Sequence, residues 1–409
     1  MSPSMCSGFR ARSDMKTSRP LDGIRVVSLE HAVAVPLATR QLADLGAEVI
    51  KIERPGVGDF ARAYDASVNG LASYFVWLNR GKKSVTLDVK QPAAKKILDQ
   101  LIGRADVVIQ NLAPGAAARL GVSHEALSPQ HSRLIVCDLS GYGDTGPLCD
   151  KKAYDLLIQA ESGLIATTGS ADTPSRAGAS IADIAAGMYA YSGILTALFQ
   201  RERTGRGARV EISMLEALSE WMMQPVYLGH YGGKPPKRQG ATHPIIAPYG
   251  PHKAGDGKEV IFGLQNEREW QIFCDKVLGK PELADDPRFN TNARRVEARA
   301  ALTALIEAEF AGLTADEAVK RLDTAGIANG RLNDMDAVWN HEQLRARGRW
   351  VPVETEKGPV EALLPPANIT GITPVMGGVP TLGQHTVAVL TELGYSAEAI
   401  RELRAAGSI

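Results

Sequence analysis

An excess of charge of either sign is missing from this 409-residue chain: 46 Lys and Arg are matched by 46 Asp and Glu. Nucleic-acid-binding domains usually carry a basic excess, so nucleic acid is not expected as an obligate partner and any anion must be recognised locally. Cysteine is scarce. Cys6, Cys137, Cys149 and Cys274 form no CxxC and no Cys/His cluster at metal spacing, which points to reduced thiols in a cytoplasmic protein without a metal. No apolar run reaches membrane-spanning length, so no membrane partner is expected. Phosphate-binding signatures are missing too. The first strand leads into HAVAVP rather than G-x-G-x-x-G, so Glu53 stands where an acid would hold a ribose but a pyrophosphate could not approach the backbone. There is no Walker loop and no G-x-S-x-G elbow.

What is present fits a soluble globular protein. Hydrophobic residues make up 44% and charged residues 22%, and the length suggests two domains. Residues 1–19 are polar and slightly basic, lack the apolar centre of a secretory signal, and are expected to be a disordered extension. From there strands alternate with helices: IRVVSL (24–29), PLATRQLADL, EVIKIE, SVTLDVK (84–90), PAAKKILDQLIGRA, DVVIQNL (106–112), PGAAARLG and RLIVCDLSGYG (133–143). Gly46 suits a helix C′ position, and Pro92 suits a first helical turn. This alternation predicts a doubly wound parallel α/β sheet. RGARVEISML (206–215) reads as a further strand. Residues 225–257, rich in Gly, Pro, His and Tyr, read as linker and loop, and EVIFGLQ with the helices after it forms a smaller unit.

Residues 165–191, IATTGSADTPSRAGASIADIAAGMYAY, hold the most suggestive chemistry. Asp172 lies on a Gly/Ser/Thr/Pro loop. Asp183 opens a segment of small residues, Ala185, Ala186, Gly187, Ala190 and Gly193, that would admit another backbone or a ligand. An Asx-turn and a helix N-cap account for both acids; a loop carboxylate above a tightly packed helix also suits nucleophilic carboxylate catalysis. In a parallel sheet, ligands bind at the carboxyl ends of the strands. Basic residues read at strand ends, Arg54, Lys82, Lys83, Lys90 and Arg119, would suit a phosphorylated acyl carrier such as coenzyme A.

The chain resembles the class III coenzyme A transferases, the formyl-CoA/carnitine-CoA transferase (CaiB/BaiF) group that also contains α-methylacyl-CoA racemases. The resemblance runs from Pro20 to about Tyr395. It is carried by PLDGIRVV (20–27), DLGAEVIKIERPGVGD (44–59), LDVKQP (87–92), ADVVIQNLAPGAAARLG (105–121), LSGYGDTGP (139–147), ALFQRERTGRGARVEISM (197–214) and PTLGQHT (380–386). It implies a Rossmann-like large domain plus a smaller α+β domain in an interlocked, ring-shaped homodimer. The boundaries expected are residues 20–225 for the large CoA-binding domain, 226–330 for the small domain with its linkers, and 331–409 for the return to the large domain. It further implies Asp172 as the catalytic nucleophile, with Asp183, His31 and Tyr142 in support. Val33, Ala34, Arg54, Leu87, Asp88, Lys90, Asn111, Leu112, Ala113 and Arg119 fall where the family lines CoA. Coenzyme A thioester would be a substrate, with no permanently bound cofactor and no metal.

Two departures narrow the reading. The glycine-rich shielding loop of formyl-CoA transferase is replaced by ATHPIIAPYG, which argues against formyl or oxalyl specificity, and the His-Asp of the racemases is replaced by Tyr154-Asp155. The wording SLEHAVAVPLATRQLADLGAEVIKIERPGVGD with KKAYDLLIQAESG looks closest to the itaconate and mesaconate branch. That implies succinyl-CoA:itaconate-type transfer, with intramolecular mesaconyl-CoA C1–C4 transfer, racemisation and a non-catalytic CoA-binding protein as alternatives. The distal carboxylate of such an acid needs a cation, either Arg176 or a basic group of HYGGKPPKRQGATH.

Overall fold

A computed structural model describes residues 19–233 and 236–409. The expected extension at residues 1–19 lies, but for its last residue, outside the described residues. The chain divides into two compact units.

The first unit takes residues 19–162, Gly178–Trp221 and Ala346–Ile409. At its centre is a six-stranded, all-parallel sheet of β1 (Arg25–Leu29), β2 (Glu48–Glu53), β3 (Lys83–Thr86), β4 (Val107–Gln110), β5 (Ile135–Ser140) and β6 (Arg209–Ser213), in the order β3-β2-β1-β4-β5-β6. Helices cover both faces, so the central strands are apolar almost throughout: Val26, Val27, Val107, Val108, Ile109, Ile135 and Val136 are fully buried. Pro92 opens the helix Pro92–Ile102, whose Ala94, Ile97, Leu98, Leu101 and Ile102 stripe packs on the sheet. The C-terminal segment returns to the same core. His385 N–H donates to the Ser84 carbonyl, Thr386 Oγ1 accepts the Thr86 N–H at 2.9 Å, and Val389 and Leu390 pack beside Leu87.

The Ile181–Thr204 helix is, by length and composition, apolar enough to cross a membrane, yet 44% of its apolar window is buried within the protein. A Cβ added at Gly187 would lie 2.5 Å from the Ala34 carbonyl oxygen. The small-residue stripe is therefore filled by the backbone of the Ala34–Asp44 helix.

The second unit takes Gly163–Ala177 and Met222–Arg345. Its antiparallel sheet, β7 (Tyr249–Lys253), β8 (Glu259–Gly263) and β9 (Asn329–Arg331), packs with surrounding helices around Phe262, Trp270, Phe273, Phe289, Phe310 and Leu322. The stretch expected to be linker between 225 and 257 thus contains β7 and most of a helix, Met223–Tyr231. Pro225 is tolerated because it sits in that helix's first turn, and Pro251 because β7 is an edge strand.

Candidate active site

The strand order reverses between β1 and β4, and an open parallel sheet offers its ligand crevice at that point, beyond the carboxyl ends. His31 follows β1 and Asn111 follows β4. The Asn111 amide is divided over one peptide: Oδ1 accepts the His31 N–H and Nδ2 donates to the His31 carbonyl, both at 3.0 Å. Its role here is to bridge the crevice and fix the turn. The His31 ring stacks on Phe60 with centroids 5.5 Å apart, and its Nδ1 is buried with no hydrogen-bond partner among the described residues. Burial lowers the His31 pKa, and the nearby Lys51 and Arg54 charges reinforce this against Asp59, so the imidazole is neutral near pH 7. Val33 and Ala34 follow at the start of the Ala34–Asp44 helix and are nearly fully buried.

The remaining residues expected to line CoA differ in availability. Arg54, after β2, is exposed and has no side-chain hydrogen bond or ion pair among the described residues, while Lys90 and Ala113 are also exposed. Leu87 belongs to the core beneath, and Leu112 packs against that core. Asp88 caps the turn into the Pro92 helix, accepting from the Lys90 N–H and from Gln91 Nε2. Arg119, at the end of a five-residue helix, donates weakly to the Pro114 carbonyl. Tyr142, after β5, lies under Lys151 Nζ at 5.1 Å from the ring centroid.

Two of the cations read as free at a strand end are not. Lys82 is 3% exposed and donates to Glu30 Oε1 at 2.7 Å, to Asn79 Oδ1 and to the Pro36 carbonyl. Lys83, the first residue of β3, pairs with Glu48, the first of β2, at the opposite edge from the crevice. Glu53 is likewise engaged: Arg62 holds both its oxygens at 2.8 Å, and Ser84 Oγ and the Asp59 N–H add to them. Burial alone would raise its pKa, but Arg62 and Lys51 overcome this and hold it at about 2. It is a structural anion.

Asp183 sits in the first turn of the Ile181–Thr204 helix. Asp155, at the start of Asp155–Glu161, accepts the Ala182 N–H at 2.9 Å and Gln159 Nε2 at 2.7 Å. Among the described residues Asp183 receives no such bond, and burial, with the Asp155 charge second, pushes its pKa up to about 7. Tyr74 Oη and Ser180 Oγ meet at 2.9 Å beside it, and Tyr64 packs edge-on to Tyr74.

Asp172 belongs to the second unit and is exposed at the tip of a tight hairpin, closed by a bridge between Gly169 and Pro174. Gly169 has φ 112°, and a Cβ there would lie 2.2 Å from the Thr173 carbonyl oxygen, so only glycine fits. Arg238 clamps the loop. Its Nε donates to the Ser170 carbonyl at 3.0 Å, Nη2 to Ala171 at 2.9 Å and Nη1 to Ala166 at 3.4 Å, and Gly240 N–H donates to the Gly169 carbonyl. The Asp172 carboxylate itself has no hydrogen bond or ion pair among the described residues. Of the cations weighed for a distal carboxylate, Arg238 is thus occupied by main chain, Arg176 donates to the Ala177 carbonyl, Lys237 is exposed and Lys234 lies outside the described residues.

With this geometry in view, the comparisons are direct. A family model described as CoA-transferase family III matches residues 21–386. The chain belongs to that family. It is 35% identical to the succinyl-CoA:glutarate CoA-transferase of Mus musculus over 98% of this chain and 92% of that one. It is 37% identical to an acetyl-CoA:oxalate CoA-transferase of Acetobacter aceti, over 81% of this chain and 85% of that one. A crystal structure of a CAIB/BAIF family protein from Brucella suis is superposable with a TM-score of 0.81 at 34% identity, over 92% of this chain and all of that one. The protein is a CoA-transferase.

Two groups of residues escape inspection of the sequence. Arg238 is hidden because its partners are carbonyls about 70 residues away. The buried set of Glu30, Lys51, Asp59 and Lys82 is hidden for a similar reason, although Lys51, set between Val49, Ile50 and Ile52, is a signal that a partner must be buried with it.

Proposed function

We propose that this transferase moves CoA between short dicarboxylic acids, with succinyl-CoA as donor and Asp172 as the covalent carrier. The relatives named for succinyl-CoA and glutarate support a five-carbon acceptor, and none of those cited supports itaconate or mesaconyl specificity. The observation that carries the reading is the Asp172 carboxylate, unpaired among the described residues, on a hairpin that Gly169 and Arg238 shape. A carboxylate is both nucleophile and leaving group, so no external base is needed. An Asp172 oxygen attacks the thioester carbonyl, the C–S bond breaks, and CoA leaves as thiolate from a mixed anhydride. The thiolate then attacks the Asp172 carbonyl and expels the donor acid as its carboxylate, leaving an aspartyl thioester. The acceptor carboxylate reverses these steps.

An anhydride must be kept from water, and Asp172 is exposed on the single chain. We therefore take the working form to be a homodimer whose second copy covers the hairpin. The His31–Ala34 turn, with Arg54 and Tyr142, would receive the acyl-CoA, which dissociates after turnover like any substrate. A cytoplasmic setting fits the free thiols of Cys137, Cys149 and Cys274.

The test is turnover of succinyl-CoA against a panel of dicarboxylates. Wild type should give the acceptor's CoA ester, and hydroxylamine should trap Asp172 as a hydroxamate. Asp172→Ala should abolish transfer while CoA still binds. Full activity in that variant would overturn the assignment. Deuterium uptake at Cα of a 2-methylacyl-CoA would instead favour racemisation, with Asp183 as the proton carrier.

A further inference from the structure

The turn at the switch point contains a strained residue. Ala32 has φ 61°, a left-handed conformation that a residue with a side chain keeps only when its surroundings hold it there. What holds it is Asp59. Asp59 Oδ1 accepts the Ala32 N–H at 3.2 Å and also the Ala61 N–H at 3.0 Å, as the N-cap of the turn Phe60–Ala63. Its Oδ2 takes Lys51 Nζ at 2.7 Å, and its own N–H donates to Glu53 Oε2. Asp59 is 1% exposed and Lys51 fully buried. Lys51 also reaches Glu30 Oε1 at 3.2 Å, and Glu30 takes Lys82 and Thr39 Oγ1, so the carboxylate of Asp59 cannot turn away without uncovering a buried charge. The next residue, Phe60, stacks on His31, and Asn111 grips the His31 peptide from the other strand. A cap for the Phe60 turn would need only the Ala61 N–H; the second bond, to an amide 27 residues earlier, does something else.

We infer that Asp59, locked by Lys51, is a positioning residue for the acyl-CoA site: it keeps Ala32 left-handed, and so fixes the direction in which His31, Val33 and Ala34 meet the ligand. This rests on the preceding reading only in taking that turn as the place where acyl-CoA binds.

Glycine supplies the decisive control, because it adopts positive φ without being held. Asp59→Asn leaves an amide against the Lys51 ammonium and loosens the grip on Ala32. The KM for succinyl-CoA should rise about tenfold while kcat stays within about threefold, as expected when one strained conformer is released. Hydrogen exchange over residues 31–34 should quicken in parallel. Adding Ala32→Gly should bring KM back to within about threefold of the Ala32→Gly protein, since the turn no longer needs holding. A merely structural role would lower the melting temperature of both Asp59 variants alike and give no rescue.

Unchanged KM and exchange in Asp59→Asn, or no recovery with glycine, would overturn the inference. If wild type binds no CoA, the functional reading fails instead, and the exchange rates still decide the positioning claim. Should Asp59→Asn not fold, Ala32→Val leaves the buried charges intact and should raise KM by the same factor; an unchanged KM there also overturns it.

Discussion

The His31–Ala34 turn and the Asp172 hairpin carry the proposed chemistry, and they are built in opposite ways. The first is fixed by buried charge. Glu30 and Lys51 are fully buried and Lys82 and Asp59 nearly so, each from a separate part of the chain, and the lysines hold the Glu30 carboxyl at about 2 although burial alone would raise it. The hairpin has no ion pair among the described residues at its tip. A glycine with positive φ, main-chain bonds and the fork of Arg238 shape it at the surface. Removing one member of a buried charge set leaves an uncompensated ion, whereas loosening an exposed clamp displaces a side chain and exposes little. Losing a lysine from the first turn should therefore cost stability, whereas loosening the second should cost aim.

The largest expected effect falls on the hairpin. Gly169→Val forces a side chain into the Thr173 carbonyl at a φ that a β-branched residue does not adopt, so kcat should drop by about a thousandfold or more. The urea midpoint should hardly move, because the hairpin is exposed. An unfolded Gly169→Val protein would erase the contrast. Next comes Lys51→Met, which leaves the buried Asp59 carboxylate without its cation and Glu30 with Lys82 alone, and should cost about 3–5 kcal/mol of stability by urea denaturation. A stable Lys51→Met protein with ordinary CoA binding would show that the turn does not depend on its charges. Arg238→Ala is gentler. It should lower kcat about a hundredfold, with KM for succinyl-CoA within about threefold and less than about 1 kcal/mol lost in stability.

The same contrast explains what could be read in advance. The parallel sheet was legible because strand and helix periods alternate cleanly, and because Gly46, at φ 106°, and Pro92 punctuate the helices as expected. The exposed loop that carries Asp172 was legible through its Gly, Ser, Thr and Pro content. The small-residue stripe after Asp183 was ambiguous between a ligand and a backbone, and the contact of Gly187 with Ala34 decides for backbone. Lys82 was misread as a cation facing a ligand. Its partners lie as far as 52 residues away in Glu30, and nothing local distinguishes a lysine that turns inward from one that faces water. Arg238 was grouped with the basic residues for a distal carboxylate, whereas its donors serve peptide carbonyls. Pairings of this kind follow from tertiary contact and leave no spacing to read.

Asp183 tests the comparison where it is finest, because it is a half-buried carboxylate that, among the described residues, lacks the cations that hold Glu30. Two effects oppose each other there. A first-turn position in the Ile181–Thr204 helix favours the anion by up to about 2 kcal/mol. Burial, then the Asp155 charge, act the other way and leave the pKa at about 7 against 3.8 in an unfolded chain. Between those values the native state binds the proton that the unfolded chain has released. Stability from this group is thus complete below about pH 4, is lost as pH rises through about 7, and is flat beyond. The shift from 3.8 to about 7 corresponds to a fall of about 4 kcal/mol across that range. Asp183→Asn keeps the shape and removes the titration. Urea midpoints at pH 5 and pH 8 should therefore differ less for the variant than for wild type, with the variant the more stable at pH 8. Equal pH dependence in the two proteins would mean that Asp183 is ionised throughout, with a compensating cation supplied from outside the single chain.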